Sequence, residues 1–249
     1  MTSTQEKKNI YCIIPARSGS KRLSNKNITD FFGKPLIAWT IEAALESEFL
    51  NVINVSTDCE LIADIAKSFG ASVSQLRPTN LATDKSNLFD VIKYHLKELE
   101  KLPDYVLLLQ PTSPLRQTKD IDAVIELSKN YDAVISVTKS PKPSSWSKEL
   151  NSDLDLAPFR KAASVKTQSQ HLNQEYFING AIYIVSTSRF LEEETFFLSS
   201  KAIGYEMPFN RSVDIDTKLD LLIASALHLD LDKSLDVLMR GHGQSKSSV

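Results

Sequence analysis

Apolar runs of strand length alternate with helix-period stretches along the first half of the chain. "NIYCIIPA" (9–16) predicts a strand, and "PLIAWTIEAALES" (35–47) an amphipathic helix with Pro35 in its first turn. "VINVST" (52–57) reads as a second strand, and "ELIADIAKSFG" (60–70) as a helix closed by Gly70. A short strand is expected at 71–76 and a helix over 87–101. The unbroken apolar run "YVLLLQ" (105–110) has the pattern of a strand buried on both faces. A helix near 118–130 and the strand "DAVISVT" (132–138) complete five β-α repeats. Such alternation predicts a mostly parallel sheet covered by helices on both sides.

The rhythm stops at residue 139. From there to about 176 the chain carries three prolines, many polar residues and little periodicity. A structureless loop of that length is improbable inside a compact domain, so the segment is expected to pack on something else, such as a second subunit. Strand-like "GAIYIVS" (180–186) resumes the core, and a helix is expected over 217–231. The division follows: 1–138 and 179–240 form one α/β domain, 139–178 an inserted arm, and 241–249 a tail of disordered composition.

Composition narrows the function classes. A formal net charge of -2 argues against a protein built for nucleic acid or an anionic membrane surface. No run approaches the ~20 apolar residues of a spanning helix, and the polar N-terminus shows no signal peptide. Cys12 and Cys59 lack partners at metal-ligand spacing; as two buried thiols they fit a reducing, cytoplasmic compartment.

Against that neutral background, "IIPARSGSKRLSNKN" (13–27) holds Arg17, Lys21, Arg22 and Lys26 with no acid among them. The loop leaves the first strand at its carboxyl end, where open α/β sheets bind ligands. It fits neither the Walker pattern nor the dinucleotide glycine fingerprint. Two readings stand: a solvated basic turn, or a phosphate site. In "SVDIDTKLD" (212–220) the i, i+2 spacing puts Asp214 and Asp216 on one face, suited to Mg2+. Asp216 and Thr217 would equally cap the next helix. Gln110 ends the buried strand within "LLLQPTSPLR" (107–116), Arg77 and Ser86 lie in "LRPTNLATDKSN" (76–87), and "NGAIYI" (179–184) reads as a turn into a strand. Phe196 and Phe197 look like core by type, although neighbours on a strand cannot both face inward.

Taken in chain order, these five stretches resemble the acylneuraminate cytidylyltransferases, the CMP-sialic acid synthetases and their bacterial relatives, over residues 10 to 228. The resemblance implies a three-layer α/β/α sandwich of the nucleotide-diphospho-sugar transferase type. It implies transfer of CMP from CTP to a nine-carbon 2-keto acid sugar with release of pyrophosphate, assisted by Mg2+. By position, Ala16, Arg17, Lys21, Lys26 and Asn27 match the family's CTP loop, with Arg17, Lys21 and Lys26 in catalytic roles. Arg77 and Ser86 match positions near the cytidine; Gln110, Tyr183, Phe196 and Phe197 match the sugar pocket; Asp214 and Asp216 match the metal pair. A homodimer is implied as well, with the 139–178 arm reaching the neighbour's sugar site. Two departures concern the sugar: Ser169-Gln170 stands where relatives often have Arg-Gln, and Phe177 where many have a basic residue. N-acetylneuraminate, legionaminate and pseudaminate are all compatible. Two other classes are a non-catalytic nucleotide-binding relative and a hexose-1-phosphate nucleotidylyltransferase.

Overall fold

A computed structural model of the chain describes residues 8–160 and 174–231. The elements run β1 (Ile10–Pro15), a small hairpin of β2 (Asp30–Phe31) and β3 (Lys34–Pro35), α1 (Leu36–Leu45), β4 (Ile53–Ser56) and α2 (Glu60–Ser68). There follow α3 (Leu88–Lys97), β5 (Tyr105–Leu109), α4 (Thr118–Leu127), β6 (Ala133–Lys139) and α5 (Ala157–Arg160). The chain then gives β7 (Tyr176–Ser186), α6 (Thr187–Glu193), β8 (Ala202–Glu206) and α7 (Lys218–Leu231).

Six strands form one sheet in the order β4-β1-β5-β7-β6-β8. Alternation along each strand divides the core into two faces. Cys12, Ile14, Leu107 and Leu109 meet Ile37 and Ile41 of α1, Ile62 of α2 and Val124 of α4. Ile13, Val106 and Leu108 meet Phe89 and Ile92 of α3 and Phe190 of α6 on the other side. Both faces of β5 are therefore buried, as its continuous apolar run predicts, and the three-layer α/β/α architecture follows. Burying each such leucine is worth about 1.5–3 kcal/mol.

The sheet is parallel on both flanks, β4-β1-β5 and β6-β8, but β7 runs antiparallel between β5 and β6. Antiparallel pairing of β7 with both neighbours breaks the parallel run that the β-α alternation predicts. β7 starts at Tyr176, which moves the end of the arm forward from 178. The expected strand at 71–76 shrinks to one bridge between Ser72 and Asn54, because only Ala71 and Val73 offer apolar side chains to the core. The hairpin, α6 and β8 are absent from the sequence expectation; β8 is an exposed edge strand with little apolar alternation to announce it. Cys12 is buried and free, whereas Cys59 is partly exposed at the start of α2, correcting the expectation of two buried thiols. Among the described residues no helix is long and apolar enough to cross a membrane.

In the described part of the arm, a 3-10 turn (Ser144–Trp146) and the short α5 are joined by irregular chain, with Trp146, Leu150, Leu154 and Leu156 all exposed. Residues 161–173, including Ser169-Gln170, and the tail 241–249 lie outside the described residues.

One buried ion pair attaches the last third of the chain to the sheet domain. Asp120, in the first turn of α4, is fully buried. It accepts from Nε and NH2 of Arg211 at 3.0 and 2.7 Å, from the Tyr205 hydroxyl at 3.1 Å and from the Gln117 amide at 3.0 Å. Removing one partner of such a pair strands a charge in the interior. Asp120→Ala is expected to cost about 3–5 kcal/mol of folding stability, read as a lowered urea midpoint at unchanged slope.

Candidate active site

The carboxyl ends of β1, β4 and β5 open onto a cleft of about 520 Å3. Arg17, Lys21, Arg22, Lys26 and Arg77 line it together with Asn27, Asp84, Ser86, Gln110, Thr112, Asp214 and Asp216. Four distant stretches of sequence thus meet at one place.

The basic loop is built rather than loose. Ala16 prolongs the β1–β4 pairing by donating its amide to the Ser56 carbonyl at 2.8 Å. Asp58 then takes the Ser18 amide at 2.8 Å and the Ser18 hydroxyl at 2.7 Å. Asn25 adopts a left-handed conformation (φ 54°), which asparagine tolerates better than most residues, and turns the chain into a 3-10 helix at Lys26–Ile28. The buried Asn27 amide closes the loop on the Arg17 carbonyl at 2.9 Å. Lys26 is only 15% exposed, the most enclosed of the loop's four cations. Ala16 itself is fully buried and does not line the cleft, so its methyl group serves the core and not a ligand.

Acids missing from the loop arrive from elsewhere in the fold. Asp84 pairs with Arg17 (2.7 Å) and Lys21 (2.5 Å), and Asp216 pairs with Arg22 (2.5 Å) and Lys26 (2.7 Å). Hydrogen bonds from Lys21 and then Arg17 hold the Asp84 carboxyl below its usual range. Asp216 is not the helix cap. Thr217 caps α7 in a reciprocal box with Asp220: Asp220 Oδ2 accepts the Thr217 amide at 2.7 Å, and Thr217 Oγ1 accepts the Asp220 amide at 3.3 Å. The Asp216 carboxylate is thereby left for the cleft.

Asp214 also lines the cleft. Desolvation by the surrounding walls raises its pKa, with repulsion from Asp216 adding and the Thr112 hydroxyl opposing. Two carboxylates and no softer ligand suit a hard divalent cation that keeps water or phosphate oxygens in its shell. Among the described residues no cluster of three or more His, Cys, Asp or Glu forms a cage of the all-protein kind.

Opposite the carboxylates stands Gln110, and its place depends on two features that the sequence did not announce. "NGAIYI" is not a turn: Asn179-Gly180 is an irregularity within β7, where the register with β6 shifts between Ile135 and Val137. Ser136 Oγ fills the gap, donating to Asn179 Oδ1 at 2.6 Å and accepting the Ile182 amide at 2.8 Å. Gly180 has φ +78°, a conformation that favours glycine, and a Cβ there would sit 3.0 Å from Gln110 Oε1, close enough to push that side chain aside. Arg116, fully enclosed, donates to the Gln110 carbonyl at 3.2 Å, the Ala181 carbonyl at 2.8 Å and Thr40 Oγ1 at 2.6 Å. It holds the end of β5 against β7 and α1 with no carboxylate in the arrangement. The Asn179 amide also donates to Ser212 Oγ at 2.9 Å, tying the irregularity to the loop that carries Asp214 and Asp216.

The remaining expected site residues divide. Ser86 lines the cleft, but its hydroxyl is engaged with Thr83 and the Asn80 carbonyl, so it shapes the loop that carries Asp84. Tyr183 is partly buried beside Asp214, whose charge adds to desolvation in raising the phenol pKa. Phe196 is 7% exposed and packs on Phe190 and Tyr183, whereas Phe197 is 56% exposed. Phe196 therefore backs Tyr183 from the core, and Phe197 alone of the two presents a ring to solvent. Sequence reasoning passed over Asp84, Arg116, Asp120 and Arg211. Asp84 and Arg116 lie inside stretches singled out for other residues, but their roles depend on partners remote in sequence.

A family profile described as "Cytidylyltransferase" matches residues 11–239. The N-acylneuraminate cytidylyltransferase of Escherichia coli O18:K1:H7 is 40% identical over 225 residues, 86% of this chain and 51% of that protein. The CMP-N,N'-diacetyllegionaminic acid synthase of Legionella pneumophila is 36% identical over 222 residues, 88% of this chain and 95% of that one. The chain thus spans about half the length of the first of these relatives and nearly all of the second. Among solved structures, a CMP:2-keto-3-deoxy-manno-octonic acid synthetase complexed with CTP superposes with a TM-score of 0.67 at 17% identity. That likeness covers 89% of this chain and 99% of the other.

Proposed function

The chain belongs to the cytidylyltransferase family, and from that premise we propose that it transfers CMP from CTP to the anomeric hydroxyl of a nine-carbon 2-keto acid sugar. The observation that carries this reading is the meeting of five cations and three carboxylates in one cleft at the strand ends. A triphosphate brings more negative charge than Asp84 and Asp216 hold there, and it offers the cations multidentate oxygens in their place. Arg17 and Lys21 exchange Asp84 for phosphate, and Arg22 and Lys26 exchange Asp216. The anomeric oxygen bonds to the α-phosphorus as the bond from that phosphorus to the bridging oxygen breaks; pyrophosphate leaves with the bridging oxygen, and the hydroxyl proton passes to water. Transfers of this kind need alignment and charge stabilisation more than covalent chemistry. Lys21, Arg17 and Lys26 supply the charge, with Asn27 and Arg77 holding the nucleotide.

Asp214 and Asp216 would hold Mg2+, whose chemistry is to neutralise phosphate oxygens and fix their geometry. We assign Gln110, Tyr183 and Phe197 to the sugar; in support, Gln110 lines the cleft, Tyr183 lies beside Asp214, and the Phe197 ring is exposed next to Tyr183. The relatives named above act on N-acylneuraminate and on diacetyllegionaminate, so the acyl pattern is open between them and pseudaminate. Phe177 is exposed at the start of β7, an apolar ring near the arm in place of a cation. A non-catalytic nucleotide binder is the contrasting possibility.

We further propose a homodimer. Trp146, Leu150, Leu156 and the 69%-exposed Leu154 form apolar surface on the arm that a lone chain leaves in water. An arm laid across a two-fold partner covers it; residues 168–173, expected to complete the partner's sugar site, lie outside the described residues.

The direct test is pyrophosphate release from CTP with a panel of nonulosonates, with UTP, GTP, ATP and hexose 1-phosphates as controls. Release with CTP and one nonulosonate is expected; nucleotide binding without release would leave the non-catalytic reading. Lys21→Ala is expected to lower kcat by the equivalent of about 3 kcal/mol while shifting stability by less than about 0.5 kcal/mol. Asp214→Asn and Asp216→Asn are each expected to raise the Mg2+ requirement sharply, and unchanged Mg2+ dependence would remove the metal assignment. Sedimentation is expected to give a dimer, twice the chain mass, and a fully active species at the monomer mass of 27.8 kDa would refute arm exchange.

A further inference from the structure

Among the five cations lining the cleft, Arg77 differs in how it is held. The other four are each in an ion pair with Asp84 or Asp216. Arg77 is buried, and among the described residues its hydrogen bonds go to Ser56 alone: Nε donates to Ser56 Oγ at 3.0 Å, and NH2 to the Ser56 carbonyl at 2.5 Å. Its own amide is pinned to the Thr57 carbonyl at 2.7 Å. Two of the five guanidinium N–H groups are thus spent on one residue at the end of β4, in a two-point grip that fixes the plane of the fork. The rest remain for whatever enters the cleft.

Ser56 Oγ has a second partner. His95, on the buried side of α3, places Nε2 2.7 Å from the same oxygen. A hydroxyl that accepts from a guanidinium has its own proton to give, and the imidazole nitrogen is the acceptor beside it. The polarity of the chain is then Arg77 to Ser56 to His95, each bond strengthening the next. Burial first, and the Arg77 charge second, push the His95 pKa down to about 4, so the ring is neutral near pH 7 and Nε2 is able to accept. His95 does not line the cleft.

We infer that His95 is a positioning residue for the nucleotide: through Ser56 it sets the lone pair that grips Arg77 Nε, and so the direction in which Arg77 presents its free N–H groups to CTP. Without an acceptor at His95, the Ser56 hydroxyl is free to rotate and the grip on the guanidinium loosens. Asp58 acts on Arg77 through charge and Arg17 opposes it, but neither is among its hydrogen-bond partners, so the direction of the fork is set by Ser56 with His95 behind it.

This inference rests on the cytidylyltransferase reading, and calorimetric titration of the full chain with CTP separates the two. If the unaltered chain does not bind CTP, the reading of function fails and the inference with it. Given binding, His95→Leu is expected to weaken CTP about tenfold, the scale of a hydrogen bond to a charged group. The KM for the sugar and kcat at saturating CTP should stay within about twofold, since the group acts on nucleotide binding alone. Ser56→Ala should match it, and the double variant should lose no more than either single change, because both break one chain. His95→Gln, whose Oε1 can stand near the place of Nε2, is expected to restore most of the affinity. A lowered melting temperature with unchanged CTP affinity in His95→Leu, or equal losses in kcat and sugar KM, would overturn the inference. Should His95→Leu fail to fold, Ser56→Ala decides: unchanged CTP affinity in that variant overturns the inference on its own.

Discussion

Asp120 is a carboxylate with no access to water, and the candidate site depends on how its charge is met. Four donors converge on it from three parts of the chain: the Gln117 amide at the start of α4, the Tyr205 hydroxyl on β8, and the Arg211 fork just ahead of the Asp214–Asp216 loop. An ion pair of this kind repays much of its gain in desolvation, so its main yield is placement rather than net stability. It brings the edge strand and the carboxylate-bearing loop to the same side of the sheet as the basic loop. A second attachment, from Asn179 to Ser212, starts in the irregular part of β7 and fixes the same loop from the other side. With Arg211 and Ser212 held before it and the Thr217–Asp220 box after it, the short span that carries Asp214 and Asp216 has little freedom.

The cleft then faces a second electrostatic problem, since cations gathered for a polyanion repel one another while none is bound. Asp84 and Asp216 answer it from opposite walls. These pairs are largely solvent-exposed, hence weak and screened by salt, which suits contacts that must be given up to a ligand. Lys26 is the exception in being largely enclosed, and it meets Asp216 where the two loops touch.

Two arginines, Arg77 and Arg116, are buried on a different plan. Arg116 is met by two carbonyls and a hydroxyl, Arg77 by a hydroxyl and a carbonyl. For both, desolvation lowers the pKa to about 10, which leaves them charged near neutrality. Dipoles orient each guanidinium, although Arg116 Nε is left without a hydrogen-bond partner and Asp58 acts on Arg77 through charge. In Arg116 that charge sits behind the end of β5, and in Arg77 it faces the cleft.

The sequence by itself determined the elements whose signal is local. Unbroken apolarity in Tyr105–Leu109 marks a strand covered on both sides, and the helix-period stretches mark the layers that cover it. The clustered cations after β1 and the i, i+2 carboxylates of Asp214 and Asp216 are equally local, and the order of the five stretches carried the family resemblance. Only the tertiary structure decided which acids face those cations. It also decided that Thr217, not Asp216, caps α7, that β7 reverses between its neighbours, and that Asn179-Gly180 interrupts a strand instead of starting one. Ala16 and Phe196, matched to site positions by the resemblance, turn out to support the site from the core. The physical reason is common to these cases. A helix or strand period is set by neighbours a few residues away, whereas a buried charge or an irregular strand is settled by partners that only folding brings within 3 Å. Arg211 and Asp120 are 91 residues apart, and His95 and Ser56 are 39 apart. No local pattern encodes such a pairing; it exists because the sheet puts the ends of its strands side by side.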